Sequence, residues 1–108
     1  ATSTPIGDMI EPRAIYSCFG QHTKSLKVSS TKSIHGHLLG AAGAFESILT
    51  ILSLHHQIAP PTINLNETNI DVDLNLVPNT SQSIDCMYAI CNSFGFGGTN
   101  GSILFKRG

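Results

Sequence analysis

Lys32, His37 and Glu46 are the first residues of this chain whose types and spacing suggest chemistry. His37 ends a polar stretch that begins at Ser30, and a long apolar run from Leu38 to about His56 follows it. It therefore stands where a loop is expected to become a helix. The positive end of a helix dipole disfavours imidazolium and leaves a neutral ring able to donate one hydrogen bond, which suits stabilisation of an oxyanion. Glu46 is the only charged residue between Leu38 and Leu54. A helix there would bury a carboxylate that must find a partner or take up a proton, and Lys32 is the candidate cation. A capping histidine and a structural ion pair explain the same spacing without catalysis.

A second group is the loop Ser93-Phe94-Gly95-Phe96-Gly97-Gly98-Thr99-Asn100-Gly101. Consecutive glycines such as Gly97 and Gly98 expose backbone N–H groups to a developing negative charge, while Phe94 and Phe96 could wall an apolar channel. Nucleotide phosphate is a poor fit, because no G-K-[ST] and no helical pattern follow. Taken alone, a hairpin with a bulged glycine turn is the commoner explanation. No metal is expected. His35 and His37 form an H-x-H pair, but His55 and His56 diverge on a helix, lie far from His37, and suit a helix C-terminus for dipole reasons. Cys18, Cys86 and Cys91 are odd in number and lack C-x-x-C spacing, so a disulfide scaffold or redox pair is not indicated.

The elements that would position these residues follow from periodicity. Asp8 to Phe19 has helical spacing with Gly20 as a stop; it starts either at Asp8, as a capping box with Glu11, or at Glu11, with Pro12 in the first helical position. Leu26 to Ser29, Leu74 to Val77, Met87 to Cys91 and Ile103 to Lys106 read as short strands, with Asn92 to Ser102 between the last two. Leu38 to His56 is long enough to be a helix, and Pro60 and Pro61 end it. It is apolar nearly all round, and Gly40, Ala41, Ala42, Gly43 and Ala44 let neighbouring backbones approach. Such a helix needs cover on several sides. The expectation is one α/β domain over residues 1–108, with a mixed sheet and a buried central helix.

Composition narrows the function classes. With 108 residues, 41% of them hydrophobic and 12% charged, the chain can build one modest core. A formal net charge of -1 with scattered Lys and Arg gives no footprint for nucleic acid, and no apolar run is long enough to insert in a membrane. The chain opens at Ala1-Thr2-Ser3-Thr4-Pro5 without Met or a signal segment, so a fragment boundary is expected.

Five segments taken together resemble the β-ketoacyl-acyl-carrier-protein synthases, the condensing enzymes of type II fatty acid synthesis. They are Thr2-Ser3-Thr4-Pro5 with Gly7-Asp8, Ser29-Ser30-Thr31-Lys32, Gly36-His37-Leu38-Leu39-Gly40-Ala41-Ala42-Gly43-Ala44, Pro60-Pro61-Thr62-Ile63-Asn64, and Asn92 to Asn100. The resemblance covers the family's C-terminal domain. It implies a thiolase-like layered α/β fold and a decarboxylative Claisen condensation. In that reaction malonyl carrier protein loses carbon dioxide, and its enolate attacks an acyl group held on a cysteine. His37 matches the second of two enolate-stabilising histidines, and Lys32 the lysine whose ion pair with a helix glutamate, here Glu46, organises the site. Thr2 and Thr4 match threonines that bind the phosphopantetheine arm. Phe96 matches a gating phenylalanine whose N–H helps form an oxyanion hole, with Phe94, Gly97 and Gly98 beside it on the substrate side. The nucleophilic cysteine and the first histidine belong to the part of the family sequence not represented here, and Ala1 stands where the family has glycine. The fragment alone is therefore expected to be inactive.

No cofactor is implied, since phosphopantetheine arrives on acyl carrier protein. The expected partners are that carrier protein, acyl and malonyl thioesters, and a second subunit in a full-length homodimer. A polyketide ketosynthase domain, or a non-catalytic homologue kept for dimerisation or carrier-protein binding, are the alternatives. Localisation is expected to be mitochondrial, with bacterial cytoplasm and plastid as alternatives.

Overall fold

Pro5 opens the first helix, α1, which runs Pro5–Phe19. The first helical N–H has no partner within the helix, so proline loses nothing there and its fixed φ favours the start. The chain leaves α1 at Gly20, whose φ of 55° turns its N–H back onto the Tyr16 carbonyl. Both starts read from the sequence fall inside the helix. Pro12 consequently lies in its interior, where it is buried and deprives the Asp8 carbonyl of its usual partner four residues on.

The structure, a computed structural model, describes residues 1–108. It divides into two units, Ala1–Gly36 with Pro60–Gln82, and His37–Ala59 with Ser83–Gly108. The first unit holds α1, a 3₁₀ turn over Gly20–Ser25, and the single-turn helix α2, Lys32–His35. Thr23 and Val77 are its fully buried side chains. The strands expected over Leu26 to Ser29 and Leu74 to Val77 reduce to one parallel bridge, Lys27 to Asn75, with the Val28 N–H donating to the Asn75 carbonyl at 2.8 Å. Their extension stops because Val77 turns to a φ of 51°, rare for a β-branched residue, and Pro78 has no N–H to offer a ladder. The Asn75 side chain holds that turn. Its Oδ1 accepts from the Val77 N–H at 2.9 Å and from Gln82 Nε2 at 3.2 Å, while its Nδ2 donates to Gln82 Oε1 at 2.8 Å.

On the surface of the same unit, Arg13 donates through Nε and Nη2 to the Asp71 carboxylate at 2.7 to 3.2 Å, tying α1 to the Asn-rich loop. These hydrogen bonds hold the Asp71 carboxyl below its ordinary range. A depressed carboxyl contributes its stability above the unfolded value and loses it as pH falls through the folded one. Being exposed, the pair is a minor contributor.

The second unit is built on α3, Ala42–His56, entered through a 3₁₀ turn over Leu39–Ala41. The two-residue strand β1, Ile58–Ala59, follows; β2, Gln82–Ser83, falls where the chain passes from the first unit to the second, and the hairpin of β3 Tyr88–Phe94 and β4 Asn100–Lys106 completes the second. The hairpin is antiparallel and in register from Tyr88 opposite Lys106 to Phe94 opposite Asn100. Both strands reach further into the glycine-rich segment than the sequence suggested, so the turn is only 95–99. Alternation along β3 puts Ala89, Cys91 and Ser93 on the covered face and Tyr88, Ile90 and Phe94 on the exposed one.

The covered face of β3 packs on α3. A Cβ added to Gly43 would rest 3.5 Å from Ser93 Oγ, which is how small residues admit the strand. Ala42 and Leu54 are buried, whereas Ile48, Ile51 and Leu52 are roughly half exposed, because the hairpin supplies cover on one side only. At its far end α3 is locked by Gln57, which adopts the left-handed conformation at φ 56° and ψ 44°. Its Nε2 donates to the carbonyls of Leu54 at 2.6 Å and Cys86 at 3.0 Å, its Oε1 accepts from the Cys86 N–H at 2.9 Å, and its backbone carbonyl accepts from Ile84 at 3.0 Å. No helix is long and apolar enough to cross a membrane.

Candidate active site

In the first unit the hydroxyls of Ser30, Ser33 and Thr62 form a scaffold that sequence reasoning did not assign. The Ser30 N–H donates to Thr62 Oγ1 at 3.1 Å, and Ser30 Oγ donates to the Ala1 carbonyl at 3.1 Å. Ser33 Oγ donates to the Ser30 carbonyl at 2.9 Å and accepts from the Ile63 N–H at 3.0 Å. Two of the segments that carry the resemblance, the Ser30 to Lys32 turn and the Pro60 to Asn64 stretch, are thereby brought together, and Ala1, just ahead of Thr2, is tied to the first of them. The signal for this was present in the hydroxyl-bearing residues of both motifs. Their partners were not legible, since they lie about thirty positions apart.

Lys32 is half-buried at the first position of α2. That helix ends at Gly36, whose φ of 77° lets its N–H return to the Lys32 carbonyl at 2.9 Å. Thr2 and Thr4 are exposed, with their hydroxyl oxygens 3.5 Å apart, which is long for a hydrogen bond between hydroxyls. His35 Nε2 lies 3.0 Å from Thr31 Oγ1.

The second unit carries His37, Glu46 and the glycine turn. His37 does not cap α3, which starts five residues later. The dipole argument made for it from sequence is therefore replaced by a local one. His37 Nδ1 accepts a hydrogen bond from the Leu39 N–H at 2.9 Å, and Leu39 points that N–H back by taking a φ of 52°. With Nδ1 occupied as an acceptor, the ring proton of neutral imidazole resides on Nε2. A positive φ at leucine stores strain, and strain of this kind gathers at functional sites. His37 is exposed, so the Nε2–H edge is open to a ligand.

Glu46 is half-buried on the second turn of α3 rather than enclosed in an apolar helix. Along the glycine turn, Gly95 donates to the Thr99 carbonyl at 2.8 Å. A Cβ at Gly95 would stand 2.9 Å from that same oxygen, so only glycine permits the closure. Gly97 and Gly98 follow at φ 75° and 83°. Phe96 is 100% exposed at the tip and Phe94 is exposed at the end of β3. The turn thus presents an exposed aromatic side chain on a backbone bent at two glycines.

Residues 1–66 match the family model described as Beta-ketoacyl synthase, C-terminal domain. The chain is 56% identical over 107 residues to 3-oxoacyl-[acyl-carrier-protein] synthase 2 of Vibrio harveyi, covering 98% of this chain and 26% of that protein. Among solved structures, the ishigamide ketosynthase/chain length factor is similar with a TM-score of 0.89 and 35% identity, over 99% of this chain and 26% of that one. A ketosynthase in complex with its type II polyketide acyl-carrier protein, bound to the hexaketide, is similar with a TM-score of 0.83 and 34% identity. That match covers 89% of this chain and 24% of that one. The chain therefore spans about a quarter of the length of the proteins it matches, and on these grounds, with an α/β architecture of the thiolase-like type, it belongs to the β-ketoacyl synthase family as part of its C-terminal domain.

Proposed function

We propose that the full-length protein carrying this chain is a 3-oxoacyl-[acyl-carrier-protein] synthase. The observation that carries the reading is the hydrogen bond from the Leu39 N–H to His37 Nδ1, which in a neutral ring leaves the proton on Nε2 as a donor on an exposed side chain. Decarboxylation breaks the bond between the malonyl C2 and its carboxylate, and the electron pair moves onto the thioester oxygen as an enolate. A neutral donor at that oxygen lowers the barrier without a proton changing hands. The enolate carbon then bonds to the acyl carbonyl, and the cysteine thiolate of the protein's other half leaves. Lys32 and Glu46 are proposed to organise the site as an ion pair, Thr2 and Thr4 to bind the phosphopantetheine arm, and Phe94, Gly97 and Gly98 to flank the acyl thioester. Acyl carrier protein is the proposed partner, in keeping with the relative solved in complex with one. A homodimer is the proposed assembly.

The full-length protein, given acyl and malonyl carrier protein, is expected to release carbon dioxide and 3-oxoacyl carrier protein in equal amounts. The 108-residue chain alone is expected to form none, because the covalent step needs the nucleophile. Product from the isolated chain, or none from the full-length protein, would overturn the reading. A polyketide ketosynthase would use the same residues; the higher identity to the 3-oxoacyl synthase favours the first reading.

Phe96 is proposed as the gate to the acyl site. Its side chain makes no packing contact with the rest of this chain, so Phe96→Ala is expected to alter the rate of acyl loading in the full-length protein more than its stability. Thermal unfolding and single-turnover acylation measure the two effects. A collapsed midpoint with unchanged acylation per folded molecule would make Phe96 a packing residue instead.

A further inference from the structure

Gly7 is the third residue of α1, where glycine has no backbone reason to stand. Unlike Gly97 and Gly98 it does not have a positive φ, and within a helix glycine is less favourable than any residue except proline. Its reason is steric. A Cβ built on Gly7 would lie 2.5 Å from Thr4 Oγ1 and 3.9 Å from Thr4 Cβ, and would meet nothing else within 4 Å. Thr4 immediately precedes the helix, at the position whose hydroxyl usually accepts a bond from the first N–H groups. Here it makes no such bond.

We propose that Gly7 is a positioning residue, which by lacking a side chain lets Thr4 hold its hydroxyl beside the first turn of α1 in the orientation that receives the phosphopantetheine arm. The inference rests on the arm-binding role proposed above for Thr4. A methyl group at position 7 leaves one economical escape, rotation of Thr4 about χ1 into another staggered well, which carries the hydroxyl elsewhere. Only the end of a short side chain moves, and the helix gains a better helix former. Function and stability therefore shift in opposite directions, which a merely structural glycine would not produce.

The test uses the full-length protein with Gly7→Ala, Thr4→Val and the double variant. KM for malonyl carrier protein, kcat and the thermal midpoint are measured for each. Gly7→Ala is expected to raise KM about fivefold, the scale of one lost hydrogen bond, with kcat within about twofold and a midpoint unchanged or higher. Thr4→Val is expected to raise KM similarly, and the double variant to be no worse than Thr4→Val alone. An unchanged KM in Gly7→Ala, a falling midpoint, or an effect that persists in full on the Thr4→Val background would overturn the positioning role. If Thr4→Val leaves KM unchanged, the arm-binding role of Thr4 fails first and takes the inference with it.

Discussion

Gln57→Ala in the full-length protein is expected to lower stability by about 2–3 kcal/mol, among the largest losses available to a residue with no part in the chemistry. The side chain makes three hydrogen bonds to backbone, at Leu54 and twice at Cys86, and all are partly buried. Removing it leaves two carbonyls and one N–H short of partners, and each such group costs about 1 kcal/mol or more when water does not reach it. Alanine also keeps the disfavoured left-handed conformation at φ 56°. Gln57→Gly should therefore be the milder change, since glycine relieves the backbone while losing the same bonds. Gln57→Glu retains an acceptor for the Cys86 N–H but turns a carboxylate oxygen toward two carbonyls, and should be no better than alanine. Denaturant midpoints for the three variants give the order. If glycine proves as costly as alanine, the strain at this position is not real.

The lock has a functional consequence. It fastens the end of α3 to the segment leading into β3, and β3 carries the glycine turn with Phe96. One end of α3 is preceded by His37 and the other is held by Gln57, so the two elements proposed to act in catalysis in the second unit flank one helix.

Much of this arrangement was legible in the residues. The long apolar run gave α3 because its length and small-residue start leave few other ways to bury it, and the two aromatic-flanked glycines gave a turn between strands. The candidate residues His37, Phe96, Lys32 and Glu46 stood out in the sequence by charge, glycine context and spacing, and their roles are proposals. What the sequence hid was set by long-range geometry. The short strands at Leu26 and Leu74 gave way to a single bridge because Val77 adopts a positive φ, which no local propensity announces. The surroundings of His37 differ from those expected for a similar reason: a 3₁₀ turn stands between the histidine and α3, so the backbone N–H of Leu39 meets the ring where a helix dipole was expected.

His37→Ala is the change with the largest expected effect on activity. Removing one preorganised donor from a developing oxyanion costs about 10²–10³ in rate. In the proposed reaction the enolate forms only when malonyl carrier protein loses carbon dioxide, so the loss should fall on that step. Transfer of the acyl group to the cysteine builds charge on a different oxygen, the one assigned to the Phe96 turn, and should survive. Stability should change little, because the ring is exposed and its one hydrogen bond here is to Leu39 two residues away.

The direct measurement is the ratio of two rates in the full-length protein, carbon dioxide release from malonyl carrier protein and formation of the acyl-enzyme, compared between wild type and His37→Ala. A ratio that falls by about a hundredfold or more, with acylation within about threefold of wild type, is the expected result. Equal losses in both steps, or decarboxylation that persists unchanged, would contradict the assignment of His37 as the enolate's hydrogen-bond donor.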